Sequence, residues 1–249
     1  VLDPSEEVAV ADQFGVARDQ VRRDHLISHL LAALSSRAAG DVVFFGGTAL
    51  SRTFAPDGRL SEDIDLIATR DRRDTAALVQ DCSIRETRRE FPGLRWDPPL
   101  TNVRDTRPAV LTTTEGITVR IQLLRADGYP KWPTAMTSLV QRYSDAAPAT
   151  LAVPTAAAFA AAKTVAWMDR AASRDLFDLW LLSQAGAING EAADLFARHG
   201  PTAKAPAVSL FNRAPNESTW HRDLSGQTRL SVTPVEALDT VRRAWLAAV

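Results

Sequence analysis

The sequence predicts an α+β fold: a mixed sheet with flanking helices, followed by a helical C-terminal domain. Three observations carry this reading. A β-branched and aromatic run, Val42–Phe45, stops abruptly at Gly46-Gly47, as a short buried strand does where it meets a turn. Ile117, Val119, Ile121 and Leu123 alternate cleanly with polar residues, the period of a half-buried strand. Beyond Pro154 the chain turns alanine-rich and its apolar residues fall at helical spacing.

Residues 5–17 read as a helix with a polar start that ends near Gly15. A second helix follows from Ala17 to Leu34, with Ile27, Leu30, Leu31 and Leu34 as its apolar stripe and Arg22, Arg23 and Asp24 towards the other face. Gly40 closes the connection and Asp41 leads into the first strand. Ala49-Leu50 open a helix after the diglycine, and the turn-rich Ala55-Pro56-Asp57-Gly58 separates it from a short strand carrying Asp63 and Asp65. Residues 74–90 read as an amphipathic helix with Ala77, Leu78, Cys82 and Ile84 inward. Leu94–Pro99 reads as an edge segment, and Val110–Thr113 with Ile117–Leu124 as a hairpin around Glu115-Gly116. The stretch Ala147–Pro154 holds two prolines and reads as a linker, dividing the chain into residues 1–148 and 149–249. Thr155 caps a helix running to about Arg170, and Ser173 caps another that ends at Gly186. Further helices cover Glu191–Arg198, the region around Ser218–Leu224, and Pro234–Ala248, which opens with Pro in its first turn.

With 249 residues, 45% of them apolar and 24% charged, the chain has the composition of a soluble globular protein and the size of one large domain or two modest ones. A net charge of −1 excludes a bulk field that draws the whole molecule to nucleic acid, so such a partner needs a local basic patch. The one cysteine, Cys82, excludes an internal disulfide, suits a reducing cytoplasm, and reads as a packed residue instead of a nucleophile. No long apolar run and no signal peptide are visible, so the expected location is cytoplasmic, with no membrane partner. Among the four histidines only His25 and His29 stand at i,i+4. With no Glu between them and no third ligand in view, they read as helix-face residues.

The chemistry concentrates between Val42 and Leu66, VVFFGGTALSRTFAPDGRLSEDIDL. Side chains two apart on a strand share a face, so Asp63 and Asp65 converge and can hold a hard cation such as Mg²⁺. Gly46 and Gly47 leave bare backbone N–H groups ahead of a helix, an arrangement that receives phosphate. Either motif alone is weak; joined at this spacing, with a strand before each, they are fairly specific. The competing reading is a tight turn beside an edge strand with a solvated acidic face. In its wording, GGTALS…R-x-SEDIDL, the chain resembles the AbiEii/AbiGii toxin family within the DNA polymerase β-type nucleotidyltransferases. The resemblance covers most of the chain. It implies a polymerase β-like nucleotidyltransferase domain over 1–148, a helical domain over 149–249 that completes the cleft, Mg²⁺ as cofactor and an NTP as substrate. Gly46, Gly47, Thr48 and Ser51 would then serve the phosphates, and Asp63 and Asp65 the metal and catalysis.

The second signal is Lys163–Trp180, KTVAWMDRAASRDLFDLW. Lys163 and Arg170 share a helix face, as do Asp175 with Asp178 and Arg174 with Asp178. Leu176, Phe177, Leu179, Trp180 and Leu181 mark a deeply packed helix, on which charges cost desolvation unless paired. Taken alone, Arg174 and Asp178 read as a salt bridge on an ordinary helix. The family carries a similar Lys…Arg…(Arg/Lys)-Asp-x-x-Asp pattern. By that resemblance Lys163 meets the triphosphate, Arg170 assists it, and Asp175 or Asp178 completes the active site. One departure stands out: polymerase β-type enzymes place a third carboxylate on a later strand, and the matching position in Thr118–Leu124 is Gln122. Ser61, two residues before Asp63, either caps the turn or borders the metal site; a phosphate there would repel metal and nucleotide. Kinase-like antitoxins in the family make Ser61 and Thr48 conceivable control points.

Arginines gather at Arg70, Arg72 and Arg73, at Arg85, Arg88 and Arg89, and at Arg95, Arg104 and Arg107. With Trp96 and Trp132 they either hold an RNA backbone and stack its bases or form a solvated face. Toxins of the resembled family extend tRNA 3′ ends, which implies an RNA acceptor, tRNA first, and a cognate antitoxin as partner. The competing readings are a small-molecule nucleotidyltransferase of resistance type, a nucleotide-binding module without turnover, and a pure protein-interaction role.

Overall fold

The computed structural model describes all 249 residues. Two helices open the chain, α1 (Pro4–Phe14) and α2 (Arg18–Arg37). The sheet region follows with β1 (Val42–Phe45), α3 (Gly46–Ser51), β2 (Asp63–Ala68), α4 (Arg72–Arg85), β3 (Arg95–Trp96), β4 (Ala109–Thr112), β5 (Thr118–Arg125), β6 (Thr134–Leu139) and β7 (Ala149–Pro154). The remainder is helical: α5 (Ala156–Arg170), α6 (Ser173–Gln184), α7 (Gly190–His199), α8 (Glu217–Leu224) and α9 (Pro234–Ala248).

All seven strands join one mixed sheet in the order β3-β4-β5-β2-β1-β7-β6. β1 runs antiparallel to β2 and parallel to β7, while β2 runs parallel to β5. The expected β4–β5 hairpin is present, with Ala109 opposite Ile121. Alternation sets the faces of β2: Ile64, Leu66 and Ala68 are buried, whereas Asp63 and Asp65 share the other, less buried side. One apolar core runs from Leu26 and Ile27 of α2 through the sheet to Val241 and Trp245 of α9, so sheet and helices pack on each other.

Several expectations need correction. The stretch read as a linker is strand β7, which sits between β1 and β6. Its prolines misled because Pro148 precedes the strand and Pro154 closes it, so neither removes a donor from the middle of the ladder. Edge strand β6 gave no alternation signal, since all but one of its residues stay at least partly exposed. Helix α4 starts at Arg72, earlier than expected, because the Asp71 side chain accepts from the Arg73 and Asp74 N–H groups. It ends at Arg85, and Thr75, Ala76, Val79, Cys82 and Ser83 form its buried face while Ala77 is exposed. Asp24 does not face solvent: its Oδ1 accepts from Arg52 Nη2 at 2.8 Å, and both side chains are buried. Thr155 caps α5 as expected, but Ser173 is the first residue of α6 and its hydroxyl donates to Asp223 Oδ2.

Candidate active site

The register of β1 against β2 sets Phe45 opposite Asp65. The next residue, Gly46, turns the chain into α3 with φ +80. A Cβ on Gly46 would lie 2.3 Å from Asp65 Oδ2, so turn and carboxylate can touch only because residue 46 has no side chain. A Cβ on Gly47 would fall 2.5 Å from Arg59 Nη2. The diglycine is thus wedged between a carboxylate and a guanidinium.

A cavity of about 580 Å³ opens at this turn. Gly46 and Gly47 line it from the start of α3, Asp65 and Gln122 from the sheet, and Lys163 and Arg170 from α5. Tyr129 and Trp132 add aromatic surface, the Tyr129 ring centroid standing 5.3 Å from that of Phe45. Burial and the neighbouring Asp63 charge push the Asp65 carboxyl up to about 6, against the pull of Lys163 and Arg170. Burial also raises Asp63, although Arg120, with Nε 4.0 Å from Asp63 Oδ1, opposes it.

Across the cleft the charges are matched. Lys163 Nζ lies 2.6 Å from Asp178 Oδ2 and 3.4 Å from Asp175 Oδ1. Asp178 also accepts from Arg59 Nε at 2.8 Å and Nη2 at 2.9 Å. Asp175 accepts from Arg170 Nε at 2.6 Å and Nη2 at 2.8 Å. Burial alone would raise Asp178, but Arg59 and Lys163 outweigh it and hold its carboxyl down to about 2. An ionic chain therefore runs from Arg59, behind Gly47, through Asp178, Lys163 and Asp175 to Arg170 in the cavity.

The family model of the nucleotidyl transferase AbiEii toxin, of type IV toxin–antitoxin systems, matches residues 29–245. The chain belongs to the AbiEii nucleotidyltransferase toxin family. Among solved structures it is similar to MenT4, a nucleotidyltransferase toxin from Mycobacterium tuberculosis H37Rv, with 22% identity and a TM-score of 0.70 over 96% of this chain and 88% of that chain. That likeness shows a shared mixed α+β fold. No curated protein matches the chain. As an AbiEii nucleotidyltransferase the protein takes an NTP, and the family implies a divalent ion. Asp63 and Asp65 fit such an ion: two carboxylates share one strand face, and burial raises both while the nearby cations only partly offset it.

The structure sorts the remaining site expectations for this AbiEii chain. Gly46, Gly47, Asp65, Lys163 and Arg170 come together in the cavity, while Asp63 stands two residues away on the same face with its side chain 40% exposed. Thr48, Ser51 and Ser61 do not line the cavity. The Thr48 hydroxyl donates to the Asp63 carbonyl, and the Ser51 hydroxyl donates to the Thr48 carbonyl at 3.1 Å. Ser61 is buried, its Oγ 3.2 Å from where a Gly47 Cβ would stand. Asp175 and Asp178 are buried behind the bases they bind, and Asp178 pairs with Arg59 and Lys163 instead of Arg174. Gln122, the position matched to the family's third carboxylate, stands opposite Asp65 in the β2–β5 register, and its Nε2 donates to the Asp105 carbonyl at 2.9 Å. Trp132 lines the cavity, away from Trp96, whose indole N–H donates to the Gln80 carbonyl. The sequence reading gave Arg59 no role, although it is the arginine of the R-x-SEDIDL wording, and it missed Tyr129.

Proposed function

We propose that this AbiEii protein transfers a nucleoside monophosphate from an NTP to the 3′ end of an RNA, tRNA foremost, with Mg²⁺. The observation that carries the reading is the single cavity shared by Gly46, Gly47, Asp65, Lys163 and Arg170. Nucleotidyl transfer is mostly positioning and charge neutralisation, and each part has a candidate here. The bare N–H groups of Gly46 and Gly47 receive phosphate oxygens. Lys163 has three N–H donors; Asp178 and Asp175 engage two, which leaves the third for the triphosphate. Arg170, anchored by Asp175, adds a second cation for the departing pyrophosphate. Asp175 and Asp178 act as positioning residues. Tyr129 and Trp132 offer flat surface for the base.

Asp63 and Asp65 are the residues that would hold Mg²⁺. Bound there, the ion neutralises triphosphate charge and lowers the pKa of an acceptor hydroxyl. The acceptor oxygen attacks the α-phosphorus in line, the bond to the β-phosphate oxygen breaks, and pyrophosphate leaves. An RNA acceptor is supported by exposed Arg73, Arg88, Arg95, Arg104 and Arg107. Arg70, Arg85 and Arg89 are less available, being paired with Asp41, Asp81 and Glu90. An antitoxin protein and a cytoplasmic location follow the same reading; no helix is long and apolar enough to cross a membrane.

The test is incubation with Mg²⁺, total tRNA and each labelled NTP in turn. Label is expected in tRNA with the native chain and absent with Asp63→Ala. Label confined to small molecules, or undiminished labelling by Asp63→Ala, overturns the proposal.

A further inference from the structure

Outside the cleft, the structure brings together three metal-ligating side chains that no step of nucleotidyl transfer uses. His25 and His29 lie one turn apart on α2, both buried. The third group is Asp145, from the connection between β6 and β7, 120 residues beyond His25. The two Nε2 atoms are 3.2 Å apart. Asp145 Oδ2 lies 3.1 Å from His25 Nε2 and 3.4 Å from His29 Nε2, and Asp145 Oδ1 is 3.0 Å from His25 Nε2. None of the three lines the cleft.

We propose that His25 Nε2, His29 Nε2 and the Asp145 carboxylate form a binding site for a divalent transition-metal ion, Zn²⁺ by geometry, distinct from the catalytic metal site. Three polar atoms face one another along three edges, but the two imidazole nitrogens carry at most one proton each. Whatever the tautomers, at least one edge has no proton to bridge it. A cation at the centre satisfies all three lone pairs at once.

The spacing of the three atoms also suits Zn²⁺. Nitrogen and oxygen ligands about 2.0–2.1 Å from a tetrahedral Zn²⁺ stand about 3.3 Å apart. An octahedral ion with similar bonds would bring them to about 3.0 Å. The triangle of 3.1, 3.2 and 3.4 Å sits closer to the tetrahedral value. The surroundings suit a built site. The Phe91 ring packs 5.5 Å from both imidazoles, and the Tyr143 ring stands 5.0 Å from His25. His25 also borders a separate surface hollow with Glu7, Arg22, Glu90 and Phe91. Val1 N lies 2.9 Å from Asp145 Oδ2.

The ion would tie α2 to the β6–β7 connection. That connection already holds α2 through Gln141, which donates to the Ser28 carbonyl at 3.0 Å, and holds the end of α3 through Arg142, which donates to the Ser51 carbonyl at 2.8 Å. Metal here thus stiffens the support behind the diglycine turn without touching the cleft.

The experiment uses the full chain, stripped of metal, with Asp63→Ala and Asp65→Ala to remove the cleft carboxylates. Zn²⁺, Co²⁺ and Fe²⁺ are titrated separately. The expected result is one equivalent bound, Zn²⁺ tightest, with a chelator-reversible rise in melting temperature. Co²⁺ is expected to give the intense visible bands of a four-coordinate ion. His29→Gln and Asp145→Asn, introduced separately, are each expected to weaken binding by at least about tenfold. Asp145 is partly exposed, so its variant serves even if the buried histidine change unfolds the chain. No uptake of any of the three ions by the folded parent overturns the proposal, and so does uptake that folded Asp145→Asn leaves unchanged.

Discussion

Asp65 and Asp178 face the same lysine and titrate in opposite directions. Asp65 is pushed up to about 6 by burial and by Asp63, whereas Asp178, more deeply buried, is held down to about 2 because Arg59 and Lys163 flank it. The signs fix two pH windows. Between the ordinary value of 3.8 and about 6, folded Asp65 binds a proton more tightly than the unfolded chain does. Its contribution to stability is therefore complete below about pH 4 and is lost as pH rises through about 6. Asp65→Asn should accordingly raise stability by about 2–3 kcal/mol at pH 7 in chelator while abolishing transfer. Thermal unfolding at pH 7 and pH 4 checks this: the gain should vanish at the lower pH. For Asp178 the window is reversed. Its contribution is complete above about pH 4 and is lost as pH falls towards about 2. Acid unfolding of the native chain should thus be steeper over that range than that of Asp178→Asn, and parallel curves would refute the pairing. The carboxylates themselves were legible in the sequence, since D-x-D on a strand fixes a shared face. Their partners were not, because Arg59 and Asp178 are 119 residues apart and no local periodicity links them.

The turn from β1 into α3 is the element on which the cleft depends. Residue 46 needs both a positive φ and the absence of a Cβ, so Gly46→Ala meets backbone strain and a clash with Asp65 together. A loss of about 1–3 kcal/mol is expected, with a larger proportional loss of nucleotide affinity. Gly40 is the matched control: nothing lies within 4 Å of a Cβ there, so Gly40→Ala should stay within about 0.5 kcal/mol. Urea unfolding beside nucleotide titration separates the two, and equal effects from both substitutions would remove the special role given to the turn. Elements with strong local signals were legible to within a few residues: β1, the β4–β5 hairpin, α5 from its Thr155 cap, and α9. Those that failed had signals pointing elsewhere. β7 carries prolines at its margins, β6 is an exposed edge, and Asp24 looks like a surface residue until Arg52 is folded against it. That buried pair has its own consequence. Asp24→Ala strands Arg52, which is fully buried, and should cost about 3–5 kcal/mol, measurable as a lower urea midpoint.

At the scale of the whole molecule, charge distribution matters more than charge total. A net −1 gives no general attraction to RNA, yet exposed Arg73, Arg88, Arg95, Arg104 and Arg107 all fall from the start of α4 to the residues just before β4. β3 is the last strand on that side of the sheet, three places from β2 and its Asp63 and Asp65. An RNA whose 3′ end enters the cleft would meet Arg95 on that edge strand and the other exposed arginines on the segments that flank it in sequence. Phosphate contacts of this kind are lost as salt rises, because binding releases counterions. The double variant Arg88→Glu with Arg95→Glu should raise the KM for tRNA and flatten its salt dependence, the log–log slope falling by about one for each arginine removed. NTP affinity should not change, since neither residue lines the cavity. Measuring both constants at two or more salt concentrations distinguishes surface from cleft. A tRNA KM that ignores the charge reversal would place the acceptor elsewhere, whereas a joint rise in both constants would indicate damage to the fold. A selective, salt-dependent effect is what an arginine surface outside the catalytic pocket requires.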